Sequence, residues 1–461
     1  MQFDFVVIGG GSAGYAAART AADLGKKVAI VDGASELGGL CILRGCMPSK
    51  ALIYSAEALH YAQSGEVFGF TADNVKADLA AMQRRKREVI AEFAEYRQGQ
   101  LKSDRFTLFR QKARFRDEGS IELADGTILE ADAFLVATGS EATSPPVPGL
   151  GEVPFWTSDD ILELDELPES VITLGGGVVA CELAQFLARV GTKVTLIQRS
   201  PHILKEFSEE ASLCVEQAFR DEGIELFTDT QLEQVEETDG GVLVRFQHEG
   251  SLVERKAAHL FNALGRKPAT VGLVLDAAKV ELLPSGHLKT DGCQQTTNPR
   301  IYAAGDCAGP HEIVHVAIRQ GEAAASHAFG QSVEPADYDA LLKVAFTDPQ
   351  IAFVGLTEDE LRNRGVSFVT ASYPFDDHGK SILMNAIRGH VKVIAEKPSG
   401  RVLGAECVGK DAGELIQALS LAVSLKADVH SLVKADWYHP TLSEIWTYPL
   451  EDLAEEISEK A

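Results

Sequence analysis

Gly9-Gly10-Gly11-Ser12-Ala13-Gly14 stands between the apolar run Phe3–Ile8 and an alanine-rich stretch from Tyr15 to Leu24. Gly9, Gly11 and Gly14 fit the pattern G-x-G-x-x-G between a strand and a helix. The first glycine permits a tight turn, and the second lets a pyrophosphate approach the backbone. The third lets helix and strand pack closely, so that the helix N-terminus faces the phosphates. Lys27-Val28-Ala29-Ile30-Val31 then supplies a second parallel strand ending at Asp32, where a carboxylate can bind ribose hydroxyls. The pattern predicts a βαβ unit that holds a dinucleotide.

The arrangement recurs. Val171–Leu174 reads as a strand, Gly175-Gly176-Gly177-Val178-Val179-Ala180 as the turn, and a helix runs to about Val190 before the strand Lys193–Ile197. Gly175, Gly177 and Ala180 form the G-x-G-x-x-A variant. Gln198 occupies the place of Asp32, and Arg199 follows it. No carboxylate selects a free 2′-hydroxyl there; Arg199 either receives a 2′-phosphate or is a solvated surface charge. Two nucleotide-binding units are expected, one inserted in the other. The proline-rich stretch Thr143–Gly149 disfavours helix and marks an exit from the first unit. Ile301–Asp306 reads as a strand and turn. From about residue 335 no fingerprint follows, and runs such as Val391–Ala395 suggest a separate α+β domain.

A chain of 461 residues has room for about three domains. Its net charge of -25 repels nucleic acid and anionic membranes, so neither is an expected partner. No apolar run is long enough to span a bilayer, and no basic leader precedes the first strand. A cytoplasmic location is expected. There, seven cysteines, an odd number, do not make a structural disulfide framework.

Two of them stand out. Cys41 and Cys46 lie in Gly38-Gly39-Leu40-Cys41-Ile42-Leu43-Arg44-Gly45-Cys46-Met47-Pro48-Ser49-Lys50. No further ligands nearby complete a metal site, and no metal is expected. A redox disulfide closed over this short loop is the favoured reading over two unrelated buried thiols, because a nearby helix N-terminus lowers a thiolate pKa and speeds exchange.

This run resembles the active-site motif of the pyridine nucleotide-disulfide oxidoreductases, the family of dihydrolipoamide dehydrogenase, glutathione reductase and mercuric reductase. The resemblance covers essentially the whole chain. Ala137-Thr138-Gly139, Ala263-Leu264-Gly265-Arg266-Lys267-Pro268, Ala304-Gly305-Asp306, Phe346-Thr347-Asp348-Pro349 and His439-Pro440-Thr441-Leu442-Ser443-Glu444 match further family motifs in order. It implies an α/β fold of the glutathione reductase type with two Rossmann-like domains, for FAD and NAD(P), and a C-terminal α+β dimerisation domain. The implied divisions are 1–148 for the first FAD segment, 149–265 for the NAD(P) domain, 266–334 for the second FAD segment and 335–461 for the dimerisation domain.

The resemblance also implies roles. Cys41 is the interchange thiol, and Cys46 lies against the flavin. His439 of a second subunit is the acid–base, and Glu444 orients it. Lys50 and Glu182 form an ion pair beside the flavin. Gly9, Gly11, Gly14, Asp32, Thr138, Gly139 and Asp306 contact FAD. Gly175, Gly177, Gln198, Arg199 and Gly265 contact the nicotinamide nucleotide. The implied partners are a second copy of the chain, sharing the active site, and lipoamide or a lipoyl-bearing carrier protein.

Departures from the family pattern are Leu40 in place of a threonine, Trp437-Tyr438 before His439, and the aromatic run Ile445–Leu450. These aromatics are expected to pack a dimer interface or to reshape the substrate channel. Mercuric reductases carry a cysteine pair near the C-terminus, whereas the last cysteine here is Cys407. Val178 replaces the tyrosine gate of glutathione reductase. The reading is therefore a dihydrolipoamide dehydrogenase-like enzyme using FAD and NAD, with NADP left open by Gln198-Arg199. The alternative is an NADPH-dependent reductase of another low-molecular-weight disulfide. The other five cysteines read as small apolar fillers.

Overall fold

The computed structural model describes residues 1–459; Lys460 and Ala461, the end of the expected C-terminal domain, lie outside them. Strand Gln2–Ile8, helix Ser12–Asp23 and strand Val28–Val31 form the first βαβ unit, with Phe5 opposite Val28 and Ile8 opposite Val31 in parallel register. The helix starts at Ser12 rather than at Tyr15 as the apolar pattern suggests. The last turn residues already have helical geometry, with Gly11 as the N-cap. Its alanines Ala13, Ala17, Ala18 and Ala21 are buried together with Phe5, Val7, Ile30 and Leu135. Small side chains let this helix lie close against helix Val314–Ala328.

The sheet around this unit has seven strands. Phe106–Phe109, Val28–Val31, Gln2–Ile8 and Ile128–Val136 follow one another, continued by Ser120–Leu123 and Ala113–Asp117. Ile301–Ala303 returns from far along the chain to pair in parallel with Ile128–Val136. The intervening segment builds a second sheet. Glu225–Phe227, Lys193–Ile197, Ser170–Leu174 and His259–Asn262 are its four parallel strands in order. A three-stranded antiparallel meander, Gln231–Thr238, Gly241–His248 and Ser251–Ala257, packs beside it. The outgoing and returning chains touch as a two-stranded ribbon, Ser140–Ala142 against Arg266–Pro268.

The C-terminal part is an antiparallel five-stranded sheet. Its order is Leu342–Ala345, Gln350–Gly355, Val402–Gly409, His390–Glu396 and Phe368–Pro374. Helices Ala412–Ser424 and Thr447–Glu459 cover it. The aromatic run ends largely in this chain's own core. Trp446 is fully buried and donates its indole N–H to Leu415 O at 3.1 Å. Tyr448 stacks on Tyr373 at 3.9 Å between ring centroids. Trp437 donates to Leu432 O at 3.1 Å, while Tyr438 stays exposed beside His439. Both indole N–H groups find a backbone carbonyl, which makes the intrachain core a favourable place for the two tryptophans. No helix of the described residues is long and apolar enough to cross a membrane.

One close approach positions the cysteine loop. Gly39 has φ +84°, and a Cβ there would sit 2.7 Å from the Cα of Gly11. The loop before Cys41 thus rests backbone to backbone on the first glycine turn, which only glycine permits on both counts. Gly39→Ala is expected to destabilise the protein by about 1–3 kcal/mol through left-handed strain and this clash. Thermal unfolding tests it, and an unchanged midpoint would remove the contact from the account.

Candidate active site

Both glycine turns present uncapped helix N-termini. Helix Ser12–Asp23 begins at Gly11 and helix Val178–Arg189 at Gly177, and neither N-cap has a side-chain hydrogen bond. Their first N–H groups are free for an acceptor such as a phosphate. In the first turn Gly14 is obligatory, because a Cβ would lie 1.9 Å from Gly9 O; Ala180 takes that place in the second. Asp32 is buried and holds the first turn. It accepts from Gly10 N at 2.9 Å and Ala34 N at 3.0 Å, and Arg110 Nη1 lies 3.0 Å from Oδ1.

Across this turn Thr138 Oγ1 is buried with no hydrogen-bond partner, next to Gly139 at φ +71°. Asp306 accepts from Ser140 Oγ at 2.7 Å. Ser140 in turn receives Arg266 Nε at 2.8 Å, just after Gly265. An orphaned buried hydroxyl and an uncapped helix beside a glycine turn fit a dinucleotide bound along the first sheet.

In the second unit Gln198 lies over the turn, where its Oε1 accepts from Arg199 N at 3.1 Å. Arg199 is exposed, as is Lys205 six residues on. Among the described residues neither has an ion-pair partner.

Cys41 lies in the short helix Leu40–Leu43, and Cys46 begins helix Cys46–Gln63. Both are free thiols, the dithiol form of the pair. They share a hydrogen bond that splits their acidities. That bond, burial and the neighbouring sulfur push the Cys41 thiol far above its usual range. The same bond, against burial and with Lys50 nearby, lowers Cys46 to about 7. Lys50 stands one helical turn beyond Cys46, on the same face. Its Nζ donates to Glu182 Oε2 at 2.7 Å and lies 4.7 Å from the centroid of the Phe346 ring. Glu182 is only 4% exposed, and its other oxygen accepts from Phe346 N at 2.9 Å.

A second group forms elsewhere. His439 Nδ1 and Glu444 Oε1 are 2.8 Å apart. An ionised carboxylate only accepts, so Nδ1 carries the proton and Nε2 keeps the free lone pair. Burial disfavours charge on Glu444. The bonds from His439 and Thr441 N outweigh it and hold the carboxyl below its ordinary range. The His439 side chain is 76% exposed, and the His439-Pro440 bond is cis. Among the described residues no hydrogen bond or ion pair joins His439 to either cysteine. The structure thus brings Cys41, Cys46, Lys50 and Glu182 together, and His439 with Glu444, as two separate sets.

Sequence reading missed the Phe346 N–H on Glu182, Arg110 on Asp32, and Arg97, whose charge reaches Cys41. A backbone donor has no signature, and Arg97 is one of many charges on helix Leu79–Leu101.

Residues 3–321 match the family described as pyridine nucleotide-disulphide oxidoreductase, and residues 342–449 match its dimerisation domain. A mercuric reductase from Streptomyces lividans is 36% identical over 455 residues, covering 96% of this chain and 94% of that protein. A dihydrolipoyl dehydrogenase from Thermus scotoductus is 35% identical over 450 residues, covering 96% and 95%. The solved structure of LpdA from Mycobacterium tuberculosis matches with a TM-score of 0.87 at 29% identity, covering 98% of this chain and 99% of that one. The chain belongs to the pyridine nucleotide-disulphide oxidoreductase family. It is a flavin disulfide oxidoreductase of a family that uses FAD and NAD(P), and its dimerisation domain points to a homodimer.

Two outcomes follow. Removing the Glu182 carboxylate leaves Lys50 and Phe346 N unpaired. Glu182→Ala is expected to lose about 3 kcal/mol in chemical unfolding, and Glu182→Gln less, because its amide oxygen still accepts from Phe346. Equal losses would contradict the geometry. In the reduced protein one thiol should ionise near the value of about 7 given by the shared bond, and the other far higher. Because that pKa is depressed, the thiolate is present above it and lost as pH falls through it. Ultraviolet thiolate absorbance against pH checks this. Two thiols both titrating near the ordinary 9.0 would refute the split.

Proposed function

We propose that the protein oxidises a dihydrolipoyl dithiol through a Cys41–Cys46 disulfide, with NAD(P)+ as the final acceptor. The observation that carries this reading is the geometry of the pair: Cys41 and Cys46 flank one short loop, and Lys50, fixed by Glu182 at 2.7 Å, stands one helical turn from Cys46. A low-pKa thiolate is a good leaving group in exchange, and its partner is then the attacked sulfur.

His439 Nε2 of a second copy takes a proton from one substrate thiol. The resulting thiolate attacks Cys41 Sγ, the Cys41–Cys46 bond breaks, and Cys46 leaves as thiolate. The second substrate thiol displaces Cys41 and gives it its proton, which releases the cyclic disulfide and leaves Cys41 as thiol, Cys46 as thiolate and the first proton on the histidine. Glu444 holds the imidazole by Nδ1 and stabilises its charge. Lys50, fixed by Glu182, places positive charge beside Cys46. FAD, when bound, would supply two-electron transfer between this pair and the nicotinamide nucleotide. Gly9, Gly11, Gly14, Asp32, Thr138, Gly139 and Asp306 hold FAD in this reading. Gly175, Gly177, Gln198, Arg199 and Gly265 hold the nucleotide.

Mercury reduction is disfavoured. Cys181, Cys307 and Cys407 are buried, with burial pushing each thiol up. No third or fourth thiol among the described residues joins the Cys41–Cys46 set. One observation favours a second reading, the NADPH-dependent reduction of another small disulfide. Arg199 and Lys205 are unpaired at the second turn, and no carboxylate is there to reject a 2′-phosphate.

Anaerobic mixing of the FAD-loaded protein with dihydrolipoamide and either nucleotide separates the two. Formation of reduced nucleotide, abolished in Cys46→Ser with FAD still bound, is the expected result. If dihydrolipoamide gives none while NADPH reduces the thiol pair, the second reading replaces the first.

A further inference from the structure

Helix Leu79–Leu101 carries an arginine that no carboxylate meets. The chain has 68 acidic residues against 43 lysines and arginines, and most neighbouring arginines are paired. Arg19 meets Glu322, Arg87 meets Glu163 and Asp165, Arg105 meets Asp23, and Arg110 meets Asp32. Arg97 is not among them, and unlike the exposed Arg84 and Arg85 of the same helix it is half-buried. Among the described residues it makes no ion pair, and the groups that act on it are Tyr15, Cys41, Tyr96 and Arg19. Its guanidinium lies 4.2 Å from the centroid of the Tyr15 ring. Its Nε is shielded from solvent with no hydrogen-bond partner.

The position is specific. Tyr15 stands in the first turn of helix Ser12–Asp23, directly after the glycine turn. The short helix bearing Cys41 packs against the helix bearing Arg97. The aromatic face fixes the plane of the guanidinium fork, so its donors are set in one orientation before any acceptor arrives. A shielded donor without an acceptor is unfavourable in the free protein and becomes favourable when an anion fills the place. What enters beside Cys41 is the substrate.

We propose that Arg97 is a specificity-determining residue that receives a carboxylate of the thiol or disulfide exchanged at Cys41. The favoured substrate is then an anionic low-molecular-weight thiol. Within the dihydrolipoyl reading, the free acid is favoured over the amide. The inference rests on Cys41 being the interchange thiol.

Two alkylating agents of similar size and different charge, compared as a rate ratio, test it without knowledge of the natural substrate. The FAD-loaded, dithiothreitol-reduced protein carries Cys46→Ser, so that Cys41 no longer competes with a more acidic partner; it is treated with iodoacetate or iodoacetamide, and modification of Cys41 is followed by peptide mass spectrometry. In Arg97→Gln the iodoacetate-to-iodoacetamide rate ratio at Cys41 should fall about tenfold, the loss of one charge-assisted hydrogen bond. Arg97→Lys, which keeps the charge but not the stacked fork, should fall less. A ratio unchanged in both variants while Cys41 is labelled overturns the inference alone. Equal slowing of both reagents also overturns it, since Arg97 would then act only on the sulfur. Absence of label on Cys41 in every protein overturns the interchange reading, and the inference with it. The split between dihydrolipoate and dihydrolipoamide KM gives a second readout. Arg97→Gln should raise the first and leave the second, and a parallel rise in both contradicts a carboxylate site.

Discussion

Three distant parts of the chain meet on one buried carboxylate. Glu182 stands in the helix of the second glycine unit. One of its oxygens holds Lys50, from the helix that begins with Cys46, and the other holds the backbone N–H of Phe346, where the C-terminal sheet begins. Taking a carboxylate out of water is unfavourable unless both oxygens find donors. The two donors come from segments far apart in the chain, which the shared core of Leu52, Phe186 and Ile351 and the Arg189–Asp348 ion pair also hold together. The ionised, hydrogen-bonded state of Glu182 therefore requires both nucleotide units and the C-terminal sheet to be docked at once. Lys50 is fixed by the same contact, one turn from the sulfur whose ionisation it favours.

The cysteine pair inherits its geometry from a second contact, of backbone on backbone. Gly39 against Gly11 sets the loop before Cys41 on the turn whose helix N-terminus is open. The thiol pair and the dinucleotide turn are thereby neighbours through covalent geometry rather than through flexible side chains. The hydrogen bond between the two sulfurs then makes them chemically unequal, although both are cysteines in similar burial.

Local periodicity and turn chemistry made the nucleotide units legible, because G-x-G-x-x-G between an apolar strand and an alanine helix admits few folds. The boundary at Ser12 was less legible, since glycine-rich residues that close a turn can also open a helix. The return of Ile301–Ala303 to the first sheet and the meeting of Lys50 with Glu182, 132 residues apart, leave no trace in local pattern. Family resemblance reached them, and periodicity did not. The aromatic run near residue 446 read as interface or substrate-channel material because exposed and buried rings look alike in sequence. Its indole and phenol partners lie on other elements. Arg97 and Tyr15 were invisible for a related reason. A stacked, unpaired arginine differs from a solvated one only in what surrounds it.

The chemistry is divided between two sets that this chain alone does not join. One holds Cys41, Cys46, Lys50 and Glu182; the other is an exposed imidazole tied to Glu444. The account's central claim is that a second copy of the chain supplies the imidazole to the thiols. Subunit mixing tests it most directly. Cys41→Ser and His439→Gln proteins are each prepared with FAD, then exchanged by mild dissociation and reassociation, with hybrid dimers verified by mass. The account predicts that two nearly inactive parents yield active hybrids, since one of the two sites in each hybrid then has both its thiols and its histidine. Hybrids that form and remain as inactive as the parents would contradict it.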